Sequence, residues 1–262
     1  MESKTAQSLI QFYQAYNHSD VIKLIEQDVD LSKCKILEDK YYKVYIPEGL
    51  AKPVPLISVH SDTVFSHIPE SFRMKKGRLS CKNKGIGLGA DDRNGCYLMH
   101  NLMLSKPQDF IFAVFDLEEL GCMGSKSFNM FPIQDLVSVL IGLDRKGSNE
   151  FALYGYESEE LLTVMDTFPG YHTEFGSITD VMVLAEESNI CCFNLSVGYY
   201  KQHSEREFTI IRDVERAEKF LNNLPDAFSG KQYFADYIVF DEPYHDYGGF
   251  NDLLLEKYYR RR

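Results

Sequence analysis

Apolar residues recur along the first part of the chain at two different periods. Between residues 5 and 27, Leu9, Ile10, Phe12, Tyr13, Tyr16, Val21, Ile22 and Ile25 fall at roughly helical spacing, interrupted by Asn17-His18-Ser19-Asp20. The interruption predicts two short helices, with Ser19 or Asp20 as N-cap of the second, because a side-chain oxygen there accepts from the free N–H groups of the first turn. Lys40 to Ile46 alternates as a strand, and Pro47-Glu48-Gly49 turns it toward Val54 to Val59. That run of Val, Leu, Ile and Val is expected of a central strand covered on both faces, and it ends in His60.

From Thr63 to Gly89 the spacing is irregular and rich in Lys and Gly, which predicts a long functional loop with at most a short hairpin around Arg78 to Cys81. Next, Asn94 to Leu104 reads as a helix, Phe110 to Phe115 as a second buried strand, Met123 to Met130 as a helix, and Leu136 to Leu143 as a third buried strand ending at Asp144. Phe151 to Tyr154 is expected as an edge strand, Glu157 to Phe168 as a helix, and residues 176 to 185 as a turn into a strand or short helix. Ile190 to Val197 reads as another buried strand leading into the loop GYYKQHSEREF, and Ile211 to Leu224 as an amphipathic helix. The aromatic and acidic stretch from 225 to 262 carries a predicted helix over 251 to 259 but no predicted packing. Buried strands alternating with helices imply an open α/β sheet, in which ligands bind at the carboxyl ends of the strands.

Composition narrows the function classes. With 262 residues, 44% of them hydrophobic, the chain can bury one sizeable core, and a single domain over 1–262 is expected. A formal charge of −11 opposes a general nucleic-acid binder, which needs a basic face. No apolar run approaches the ~20 residues of a membrane span, and MESKTAQSLIQF lacks the layout of a secretory signal, so no membrane association and a cytoplasmic location are expected. The six cysteines contain no C-x-x-C pair, which suits reduced structural thiols.

Chemistry concentrates in two short runs. GLGADDRNG (87 to 95) brings Asp91 and Asp92 into a glycine-rich loop, and FDLEELG (115 to 121) sets Glu118 and Glu119 after a buried strand. Acids so close repel each other and need metal, Lys, Arg or water to neutralise them. In VHSDTV, Asp62 is two residues from His60, and a carboxylate beside an imidazole fixes its tautomer so that the other nitrogen faces a metal. Taken alone, His60 is an ordinary surface histidine before a capping Ser-Asp. Added to the loop aspartate, the strand-end glutamates, Asp144 and a later His203, it completes a carboxylate and imidazole set suited to zinc or a similar divalent ion.

The order H-x-D, G-x-D-D, E-E, D, H, spread from about residue 54 to 208, resembles the co-catalytic di-zinc peptidase superfamily, which includes zinc aminopeptidases, tripeptidase T and carboxypeptidase G. GADDRNG, DLEELG, LDRKGSNE and HSERE are most similar to the tripeptidase-like and tetrahedral-aminopeptidase-like members. The resemblance implies a three-layer α/β/α fold with a mixed, mostly parallel central sheet. It implies that Asp91 bridges two divalent ions, zinc first and cobalt or manganese as alternatives. His60 and Asp144 would complete one site, Glu119 and His203 the other, with Glu118 as general base, Asp62 as the orienting acid and a cis peptide after Asp91. Asp92 would lie behind the ligands or cap the helix.

Further positions stay open. Thr179 and Asp180 are either substrate contacts or turn formers, Tyr199 or Tyr200 either reaches an oxyanion or packs in the core, and Arg145 either binds a substrate carboxylate or offsets Asp144. His67, His100, His172 and His245 belong to no motif. Lidded members of the superfamily insert a domain between the ligand aspartate and the last histidine, and the few short elements between Asp144 and His203 leave no room for one. A lid-less unit is therefore expected, its metal centre reached through the loops 63 to 90 and 198 to 208. The reading is an exopeptidase, aminopeptidase-like, acting on short peptides with metal-activated water. Its alternatives are an N-acyl amino-acid deacylase or other amidohydrolase, and an inactive metal-binding homologue. Oligomeric state is left open.

Overall fold

The structure is a computed structural model that describes residues 4–236. The helix expected over 251 to 259, and His245, lie outside the described residues. Two helices open the chain, α1 (Lys4–Tyr13) and α2 (His18–Glu26). The cap of α2 is Asn17, whose side chain accepts from Asp20 N–H, two to three residues earlier than expected, so His18 already belongs to the helix. A hairpin of β1 (Cys34–Asp39) and β2 (Tyr42–Pro47) follows, then β3 (Val54–His60), a second hairpin of β4 (Phe72–Lys75) and β5 (Arg78–Cys81), and α3 (Ala90–Ser105). After β6 (Ile111–Phe115) come α4 (Met123–Ser127), β7 (Val137–Arg145), β8 (Glu150–Leu153), α5 (Glu159–Met165), β9 (His172–Phe175) and α6 (Asp180–Ser188). The described chain ends with β10 (Cys192–Ser196), β11 (Tyr199–Tyr200), β12 (Phe208–Ile210), α7 (Ile211–Leu221) and α8 (Pro225–Phe228).

The main sheet has eight strands in the order β1-β2-β6-β3-β7-β10-β8-β9. Its middle strands β6, β3, β7 and β10 run parallel, with antiparallel neighbours on each side. The mixed three-layer α/β/α architecture expected from the sequence is therefore present. Period-two alternation splits each middle strand between two cores. Ile57 and Val59 of β3, Phe112 and Val114 of β6, and Ile141 and Leu143 of β7 face α1, α2, α3 and α7. Leu56, Ile111, Ala113, Phe115 and Leu140 point the other way, onto Val181, Leu184 and Ala185 of α6. Since both faces are covered, these strands read as continuous apolar runs.

Three elements differ from the pattern-based expectation. β8 is internal because β9, exposed at every position, takes the edge beyond it. α4 stops at Ser127, after five of a predicted eight residues, and the chain after it runs on with Phe128 and Met130 buried in the second core. The loop after β10 is anchored by a second, four-stranded sheet, β11-β12-β5-β4. Its register pairs Phe208 with Ser80 and Thr209 with Leu79, so the hairpin in the 63–90 stretch supports the segment that carries His203.

α3 lies close against the end of β7. A Cβ added at Gly95 would fall 2.4 Å from Asp92 Oδ1 and 2.5 Å from the Leu143 carbonyl. Alanine in a helix ordinarily gains about 1 kcal/mol over glycine. Here Gly95→Ala is expected to destabilise by about 1–3 kcal/mol through overpacking. A urea midpoint at or above that of the parent would show that α3 has room there.

Candidate active site

Strand ends and one loop bring the motif residues together. β3 delivers His60 with Asp62 just beyond it, β6 leads to Glu118 and Glu119, β7 ends at Asp144, and the loop into α3 supplies Asp91. Opposite them, His203 reaches in from the loop between β11 and β12. His60 Nε2 lies 3.2 Å from Asp91 Oδ1 and 3.7 Å from Asp144 Oδ1. His203 Nε2 lies 3.2 Å from Asp91 Oδ2 and 2.9 Å from Glu119 Oε1. The two oxygens of one buried carboxylate thus face two separate imidazoles. The Asp91–Asp92 peptide bond is cis, as the resemblance implies.

The donor set suits a cation. One donor atom each from His60, Asp91 and Glu119 lie within 4.8 Å of one another. Despite its 2.9 Å approach to His203, the buried Glu119 Oε1 has no hydrogen-bond donor, so the imidazole N–H direction misses it. Among the described residues, no Lys or Arg pairs with Asp91, Glu118, Glu119 or Asp144; the partners of the three that pair are His60 and His203. Burial pushes Glu118 up to about 9, Glu119 to about 7 and Asp144 to about 6, the last two also raised by Asp91. Asp91 is held below the usual carboxylate range: burial opposes this, but His203 and His60 outweigh it. His203 is raised to about 9 by Asp91 and Glu119. Carboxylates of raised proton affinity gathered around one aspartate of lowered affinity make a donor set that a divalent cation would neutralise.

Backbone clamps hold the set in place. Asp62 Oδ1 accepts from His60 Nδ1 at 3.2 Å, and the two Asp62 oxygens also accept from Glu118 N–H at 3.0 Å and Glu119 N–H at 3.1 Å. One carboxylate therefore ties the end of β3 to the glutamate turn and leaves Nε2 of His60 facing Asp91. That turn contains Leu117 and Cys122 at φ 61° and 59°, in the left-handed region, and is closed by the N–H groups of Gly121 and Cys122 on the Glu118 carbonyl. Asp92 accepts from His60 N–H and from Gly95 N–H, which makes it the cap of the regular part of α3. Glu207, which the sequence showed only as part of HSERE, is buried and accepts from Gly89 N–H at 2.6 Å and Asp91 N–H at 3.2 Å. The positive φ of 69° at Gly89 permits that turn.

The open positions now have locations. Tyr199 donates to Asp144 Oδ1 at 2.9 Å, whereas Tyr200 turns away to Asp213 at 2.7 Å. Thr179 touches Asp144 at 3.5 Å, and Asp180 is buried on Ser125 Oγ at 2.6 Å. Arg145 pairs with Glu150 instead of Asp144. His100 bonds the Ile25 carbonyl, His67 bonds Ser66, and His172 pairs with Glu174, all away from the site. The cavity over the donors measures about 300 Å³ and is lined by segments 118–122, 144–146, 177–179 and 199–203. No residue of the 63–90 stretch lines it, because that stretch is spent on the second sheet and on the approach to Asp91.

Asp62→Ala leaves the Glu118 and Glu119 amides without their acceptor. We expect amide hydrogen exchange at both positions to accelerate and unfolding free energy to fall by about 1–3 kcal/mol. Unchanged protection of the two amides would mean that another group holds the turn.

The sequence matches no protein-family profile and no curated protein. The fold does match solved structures. A tripeptidase from Staphylococcus aureus superposes with a TM-score of 0.70 at 13% identity, covering 86% of this chain and 98% of that one. The aminopeptidase PepT of Bacillus cereus gives 0.66 at 14% identity, with coverage of 86% and 98%. The TET1 peptidase of Pyrococcus horikoshii gives 0.62 at 15% identity, with coverage of 85% and 99%. At the level of backbone architecture, the chain has the fold of these peptidases.

Proposed function

We propose that this chain is a metallohydrolase of amide bonds, an exopeptidase of the aminopeptidase type acting on short peptides. The observation that carries the reading is Asp91, with one oxygen toward His60 and the other toward His203 and, among the described residues, no lysine or arginine paired with the carboxylates around it. Two divalent ions, zinc first and cobalt or manganese as alternatives, would be held by His60 and Asp144 on one side and Glu119 and His203 on the other, sharing Asp91. When bound, such ions polarise a carbonyl and lower the pKa of water.

The remaining steps belong to the protein. Glu118 borders the cavity beside Glu119 but pairs with neither imidazole, and its buried carboxyl has a raised proton affinity. It takes a proton from the attacking water and returns it to the leaving nitrogen, a role open to a carboxylate that is not itself a ligand. Asp62 keeps His60 in one tautomer and sets the Glu118–Glu119 turn. We read the catalytic unit as a single domain without an inserted lid. In support, β8, β9 and β10 join the main sheet and α5 and α6 pack onto its two cores.

Release of free amino acids from unblocked di- and tripeptides, assayed with zinc, cobalt and manganese, tests the function. Turnover of N-acylated amino acids alone would assign a deacylase instead, and no bound metal after reconstitution would favour an inactive homologue.

Asp91→Ala should lose at least one of two metal equivalents by elemental analysis, and retention of both would remove Asp91 as the bridge. The neighbouring glutamates should separate. Glu118→Gln is expected to keep both ions and lose about 10²–10⁴-fold in kcat with little change in substrate binding. Glu119→Gln is expected to lose metal first and to recover partly at high metal concentration. Near-parental kcat for Glu118→Gln, or undiminished metal affinity for Glu119→Gln, would reverse the two roles or abolish them.

A further inference from the structure

The cavity has one wall of opposite charge. Arg145 and Lys146 follow Asp144 directly at the end of β7, and both line the cavity with Glu118, Glu119 and His203. Arg145 spends Nε on Glu150 Oε2 at 2.9 Å, a carboxylate outside the lining, and a guanidinium carries further N–H donors on its terminal nitrogens. Lys146 is exposed and forms no ion pair among the described residues. The Lys146 ammonium and the free guanidinium N–H donors beside it form a positive edge on the cavity wall, which draws in an anionic group.

We propose that Lys146, with Arg145 beside it, binds a carboxylate of the substrate. This rests on the peptidase reading above and narrows it to short peptides that carry a carboxylate within reach of that wall. The cavity, about 300 Å³, is at the lower end of the range of roughly 300–1,000 Å³ typical of small-molecule sites, which favours a peptide of a few residues. The recognising chemistry is charge-assisted N–H to carboxylate hydrogen bonding. The carboxylate has two sources, the C-terminus of the peptide or an acidic side chain.

Three substrates separate these sources: Ala-Ala-Ala, its C-terminal amide, and the amide of Ala-Glu-Ala, each assayed on the full chain reconstituted with zinc. We expect kcat/KM for the free acid to exceed that of the plain amide by roughly 5- to 20-fold, the range for a charged hydrogen bond partly exposed to solvent. A rate restored in the glutamate amide assigns the side chain as carboxylate source, and a rate not restored assigns the C-terminus. Because Lys146 is exposed, Lys146→Ala should fold, and it should bring the acid-to-amide ratio toward one by raising KM for the acid. Lys146→Arg should keep the ratio. Equal cleavage of all three peptides by the parent, or an undiminished ratio in Lys146→Ala, overturns the inference while the peptidase reading stands. Hydrolysis of none of the three overturns both.

Discussion

Four carboxylates and two imidazoles converge on one small volume around Asp91, no lysine or arginine among the described residues pairs with those carboxylates, and the rest of the structure is arranged so that this repulsive set can exist. Bringing acids together in a partly buried place raises their proton affinity, as Glu118, Glu119 and Asp144 all show. Of these four, Asp91, with an imidazole on each oxygen, is the one held below the usual carboxylate range. The polar groups that fix it are backbone N–H donors and other carboxylates, so positioning is achieved without adding positive side chains that would compete with a cation. Asp62 grips two amides of the glutamate turn, and Glu207 grips the amides of Gly89 and Asp91.

The division of labour between the two sheets follows from the same requirement. The parallel strands β3, β6 and β7 end on one edge and place His60, the Glu118–Glu119 pair and Asp144 from a core covered on both faces. His203 comes from across the cavity, on a loop with positive φ, and needs a support of its own. The small sheet provides it by pairing β12 with β5 and β11 with β12. A buried network of Tyr13, Asn94 and Thr209 then joins α1, α3 and β12, with Tyr13 OH 2.6 Å from Asn94 and 2.8 Å from Thr209. Helix packing on the main sheet and the placement of the His203 loop are thereby coupled.

Fold similarity at 13–15% identity is compatible with this picture. A covered parallel strand asks only for apolar residues of suitable volume, and many sequences satisfy that. Charge placement at the strand ends is far more restrictive.

How much was legible beforehand follows from the range of the forces involved. The middle strands β3, β6, β7 and β10 and the helices α1, α2, α3 and α7 were readable because burial on one or both faces imposes a period that residues within each segment reveal. The spacing of His60, Asp62, Asp91, Glu118, Glu119, Asp144 and His203 likewise placed them at strand ends or in loops, since each follows or precedes a clear apolar run. The edge strand β9 was not readable, because all four of its residues are exposed and carry no period. The short hairpin around Arg78 to Cys81 was legible, but its joining to β11 and β12 in a second sheet was not, because β5 and β12 pair across more than a hundred positions. Only tertiary structure decided that Glu207 turns inward onto the Asp91 loop, that Arg145 spends itself on Glu150, and that the 63–90 stretch supports the site without lining it. Those outcomes depend on which backbone donors and which charges are left unpaired once the chain has folded, and no local pattern of residues encodes that.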